Sequence, residues 1–84
     1  MVNNEDIMNF ITMFWIKHCK SPTIRDIMEG CKISSTSVVS YHLSQLSDDG
    51  LIFLGQHNQK RVITPYWVQD AIKEYIKTRK VEVL

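Results

Sequence analysis

Residues 23–50 hold two helical patterns of unequal length separated by only a few residues, and no other feature constrains the fold of this chain as tightly. In SPTIRDIMEGC (21–31), Pro22 blocks extension of any helix before it, Thr23 can cap the next one, and Asp26 stands where its side chain can return the cap. The expected helix is short, about 24–29, with Gly30 as its left-handed exit, Lys32-Ile33 as the turn and Ile33 pointing inward. Ser34 or Ser35 can then cap a longer helix with Val39, Leu43 and Leu46 inward at i, i+4, i+7, ending at Gly50. Such a pair is a helix-turn-helix over 23–49, with its second helix offered outward.

The flanking segments complete the pattern. Upstream, Asn3 or Asn4 can cap a helix over 4–19. Glu5 and Asp6 favour its positive end, and Ile7, Phe10, Ile11, Phe14 and His18 share one face. Met8, Met13, Trp15 and Ile16 make this helix apolar beyond one stripe, so a second face needs covering. Downstream, LIFL (51–54) and RVIT (61–64) are β-prone runs around GQHNQK, a hairpin over 51–64 with a polar tip. Thr64 can cap and Pro65 can open a last helix over 65–79, with Val68, Ile72, Tyr75 and Ile76 on its apolar side. Helix 1 is the natural cover for that side, in the same chain or in a second copy. The expected fold is mainly α with a small β-hairpin: a winged helix-turn-helix of three core helices, a two-stranded wing and an extra C-terminal helix, in one domain over 1–84.

Composition narrows the function classes. A chain of 84 residues, 44% hydrophobic, supports one small core. Its net charge is only +1, unlike a strongly basic polyanion binder, yet the charge is uneven. Lys17, Lys20, Arg25 and Lys32 face six acidic residues in 1–50, a net of −2; Lys60, Arg61, Lys73, Lys77, Arg79 and Lys80 against Asp70, Glu74 and Glu82 give +3 in 51–84. Cys19 and Cys31 are isolated, as reduced thiols of a cytoplasmic protein would be. The apolar run 7–16 is about half of a bilayer span and follows acidic residues, so neither a membrane segment nor a leader is expected. Cysteine and histidine lack metal-ligand spacing, and no nucleophile, base and orienter set or phosphate-cradling glycine loop is present. The reading is therefore a non-enzyme without cofactor or metal.

From Ser21 to Thr64 the chain resembles the N-terminal DNA-binding domain of LexA repressors. The pieces that carry the resemblance are S-P-T-I-R-D-I, then S-x-x-x-V-x-x-H-L-x-x-L-x-x-x-G-L-I, and K-R at the end of the wing. The resemblance implies a stand-alone DNA-binding module without a self-cleaving peptidase domain, as in small phage and bacterial regulators, with double-stranded DNA as partner. It places the base-reading surface on Ser35, Ser37, Val38, Ser40 and Tyr41, and the wing tip beside the phosphates on Gln56, His57, Asn58, Gln59, Lys60 and Arg61.

The residues themselves support parts of this. Small hydroxyls let a helix approach a groove floor, Tyr41 can bond phosphate, and Val38 can meet a thymine methyl. Thr23 at a helix N-terminus can serve a phosphate, with Arg25 assisting, and His57 as a cation would strengthen such contacts. His42 is expected to satisfy a local hydrogen bond rather than read a base. The blander reading is that serines and hairpin tips are simply solvated, and that Trp15, Trp67, Phe10, Phe14 and Tyr75 are core or subunit interface. Near-neutral charge and Asp48-Asp49 favour a rival from another class: a winged-helix protein-interaction module, for example a phage-encoded inhibitor of a host regulator. A homodimer through helices 1 and 4 is expected in the DNA-binding case.

Overall fold

The computed structural model describes residues 2–57 and 60–79, and their side chains except at positions 57, 60 and 75–79. The element order is α1 (Asn4–His18), α2 (Ile24–Cys31), α3 (Thr36–Asp48), β1 (Ile52–His57), β2 (Lys60–Pro65) and α4 (Tyr66–Arg79). This is a three-helix core followed by a two-stranded antiparallel wing and a terminal helix, the winged helix-turn-helix arrangement.

Local chemistry sets the helix starts. Asn3 caps α1 and Thr23 caps α2, each through a reciprocal box: the cap side chain accepts from the backbone of Asp6 or Asp26, whose carboxylate accepts from the cap's own N–H. Ser35 occupies the cap position of α3 but makes no side-chain cap bond. Ile7, Ile11, Ile27, Val39, Leu43, Leu46, Ile52 and Ile63 are buried together, so every element from α1 to β2 contributes to one core. Phe10 and Ile33 pack against its edge.

The helix ends depart from expectation at Gly30. Helix α2 runs through it to Cys31, and Lys32, not Gly30, takes the left-handed conformation with φ 58°. The glycine is required for another reason: a Cβ there would fall inside the ring of Phe10 on α1. The absent side chain is what lets α2 lie against α1. Gly50 does supply a left-handed exit, with φ 76° just after α3.

The wing is longer than the two apolar runs suggest. Pairing extends from Ile52↔Pro65 to His57↔Lys60, so much of the segment expected as a polar tip is strand, while Asn58 and Gln59 lie outside the described residues. Thr64 and Pro65 do not start the last helix; they close β2, where the ring nitrogen of Pro65 has no hydrogen to offer the ladder. Both backbone groups of Ile63 are used outside the ladder: its N–H donates to Ser21 Oγ (2.8 Å) and its carbonyl accepts from Trp15 Nε1 (2.8 Å). The wing is thereby pinned to α1 and to the residue just before Pro22.

His18 is exposed at the end of α1, its ring tilted against that of Phe14 with centroids 4.4 Å apart, on the face the two share. Helix α4 packs mainly on β2 and lies beside α1, with which it lines a groove. Trp67 and Val68 are half-buried, while Ile72 is 53% exposed and Ile16 on α1 is 61% exposed. Between them runs an open apolar groove lined by Trp15, Ile16, Cys19, Trp67, Val68 and Ile72. Tyr75 and Ile76, expected on the same side, have side chains outside the described set. No helix among the described residues is long and apolar enough to cross a membrane.

Candidate nucleic-acid interface

Helix α3 buries Val39, Leu43 and Leu46, and this fixes what it shows to solvent. At 3.6 residues per turn the opposite side carries Ser37, Val38, Tyr41 and Ser44, all exposed; Tyr41 is 61% accessible. Ser35 and Ser40 are half-buried at the margin of this surface. The face holds no formal charge. Asp48 and Asp49 sit at the far end of α3, roughly 18 Å from its first residue at 1.5 Å per residue. They therefore stand away from the N-terminal end that a helix-turn-helix protein offers to base edges.

The wing brings cationic and polar groups beside this helix. Gln56 and Arg61 face each other across the ladder, both exposed, and with Ser40, Ser44, Leu54 and Gly55 they line a cleft between α3 and the hairpin. Arg61 also borders a second cleft with Lys20, Ser21, Thr23 and Asp26. It thus stands where α3, the wing and the start of α2 converge. His57 and Lys60 form the last described pair of the ladder, with side chains outside the described set.

Thr23 is exposed, and its hydroxyl oxygen accepts from the Asp26 N–H at 3.0 Å. Arg25 is highly exposed and lies 3.9 Å from Glu29 one turn on, a loose surface pair that leaves the guanidinium available. Of the expected site residues, the structure brings Ser40, Gln56 and Arg61 to one cleft and Thr23 and Arg61 to another, leaving Arg25 on the outside of α2. Lys20, which shares the second cleft, escaped notice because nothing in its neighbours marks it. It reaches the cleft only because Cys19 turns the chain left-handed at the end of α1, with φ 55°.

His42 makes a hydrogen bond, but across the chain to α1 rather than within its own segment. Its Nδ1 meets Asn4 Oδ1 on α1; Asn4 Nδ2 donates to Gln45 Oε1 at 3.0 Å, and Gln45 Nε2 donates to the Tyr41 hydroxyl oxygen at 2.9 Å. Asn4 and Gln45 were missed because the contact joins residues 41 apart, each unremarkable in its own segment.

The model of the LexA DNA binding domain matches residues 3–61. The chain belongs to that family. The matched span begins within the cap of α1, earlier than the likeness at Ser21, and leaves α4 outside it. A LexA repressor from Roseiflexus sp. (strain RS-1) is 51% identical over 47 residues, which is 56% of this chain and 22% of the relative. The chain therefore matches less than a quarter of the length of that LexA repressor. No solved structure matches.

Proposed function

We propose that this chain binds double-stranded DNA with sequence preference, as a small bacterial or phage transcriptional regulator that sets α3 in the major groove and the wing along the backbone. The observation that carries the reading is the charge-free outward face of α3, Ser37, Val38 and Tyr41, flanked by Arg61 of the wing and Thr23 at the start of α2. A neutral, small-residue face can reach base edges, and the positive and N–H-bearing groups beside it can meet phosphate oxygens. Catalysis has no part in this function, and a cytoplasmic location suits it.

With few cations per chain, a second copy on a two-fold site would supply the missing affinity, since two linked half-sites act together. The open groove between α1 and α4, with Ile16 and Ile72 exposed, is the surface we assign to that contact. The same groove favours the second reading, a protein-interaction module.

Salt separates the two. Binding through phosphates releases counterions, so affinity for duplex DNA falls steeply between 50 and 200 mM salt, with a slope set by the number of phosphates met (about −0.9 per phosphate). The double substitution Lys60→Ala/Arg61→Ala makes that slope shallower. Binding that ignores salt and survives the double substitution belongs to an apolar protein contact.

A further inference from the structure

The hydrogen-bond chain from α1 to the exposed face of α3 has a direction. Asn4 Nδ2 and Gln45 Nε2 are the donors along it, so Gln45 gives an N–H to the Tyr41 oxygen and the Tyr41 O–H is not consumed within the chain. Asn4 Oδ1 must then receive a hydrogen from His42, which requires that His42 carry its proton on Nδ1. The His42 ring also meets Tyr41 edge-on at 5.7 Å, which helps to fix the phenol over the helix. The far end of the chain is the start of α1, and the near end is a side chain 61% exposed on the outward face.

We infer that Gln45, Asn4 and His42 are positioning residues that hold the Tyr41 hydroxyl as an outward hydrogen-bond donor aimed at an acceptor oxygen or nitrogen of DNA. The inference rests on the DNA-binding reading and adds its selectivity. With one lone pair turned to the Gln45 N–H, the hydroxyl directs its hydrogen outward; it favours a phosphate oxygen, guanine O6 or N7, adenine N7 or thymine O4 over the amino groups of cytosine and adenine.

Two measurements test it. The first needs no DNA: ring-nitrogen chemical shifts of His42 in the free protein should report the Nδ1–H form, and the Gln45 side-chain amide should exchange slowly and lose that protection in Tyr41→Phe. A hydrogen on Nε2 with Nδ1 bare reverses the chain and overturns the inference. The second is a double-substitution cycle on a bound duplex. Tyr41→Phe should weaken binding about fivefold, the worth of one hydrogen bond. Gln45→Leu should weaken it by up to the same factor in the parent protein and by nothing further in the Tyr41→Phe background, with thermal stability tracking fold. Loss confined to the preferred duplex marks a base-edge acceptor, and equal loss on an unrelated duplex marks a phosphate; either supports the donor role. No loss in Tyr41→Phe, or an equal Gln45→Leu effect in both backgrounds, overturns it. A parent protein that binds no duplex at all is a failure of the DNA-binding reading, and the first measurement still decides the direction of the chain.

Discussion

At the scale of single residues, Gly30 carries the clearest consequence. Its hydrogen faces the Phe10 ring where any Cβ would collide, so Gly30→Ala should cost about 1–3 kcal/mol even though alanine is the better helix former. Urea unfolding should show a lower midpoint with an unchanged slope, and Phe10→Leu should recover part of the loss. A stabilised Gly30→Ala protein would mean that propensity outweighs the contact. The two cysteines differ in a comparable way. Cys19 is exposed, whereas burial, with the Asp6 carboxylate adding to it, pushes the Cys31 thiol up. The folded state holds the Cys31 proton more tightly than the unfolded chain does. Stability from this source is full below the unfolded thiol's value and is lost as pH rises through the higher folded value. A thiol reagent at pH 8 should label Cys19 first and Cys31 much more slowly; equal rates would contradict the assignment.

At the scale of elements, the decisive contact is the pinning of β2. Ile63 sits in the core and uses both backbone groups on Trp15 and Ser21, so the angle of the wing to α3 is set by two hydrogen bonds outside the hairpin. Trp15→Phe keeps an aromatic ring but strands the Ile63 carbonyl, a loss of about 1–3 kcal/mol for an unsatisfied buried group. Amide exchange should accelerate along β2 in that variant while the amides of α3 stay protected. Unchanged exchange in the wing would show that the ladder alone holds it.

The helix order was legible because its signals are local: an asparagine cap ahead of Glu5 and Asp6, the Thr23 box with Asp26, and the i, i+4, i+7 run of α3 each need only a few consecutive residues. What could not be read depends on contacts across the chain. Gly30 resembles a helix exit until Phe10 is known to face it, and β1 and β2 continue through polar residues because pairing, not apolar content, extends them. The same divide holds in the interface. The outward face of α3 follows from its period, whereas Lys20 and the link from Asn4 to Gln45 require the fold.

At the scale of the whole molecule, cationic and apolar surfaces lie in different places. Arg61 and Lys20 border the clefts beside α3 and α2, while the groove between α1 and α4 is apolar and open. A protein so arranged can meet DNA with one side and a second copy with another. A dimer is expected in light scattering at micromolar concentration, reduced to the monomer mass by Ile16→Glu or Ile72→Glu without loss of fold. A monomer in the parent protein would show that the groove is not a contact between copies.

The central claim, that this chain reads DNA sequence, is tested most directly by selecting bound duplexes from a random pool with the purified protein at moderate salt and sequencing the survivors. The expected result is an enriched motif with two-fold symmetry, its half-sites about one helical turn apart or a multiple of it. A pool that stays random, with the protein folded and soluble, would contradict it.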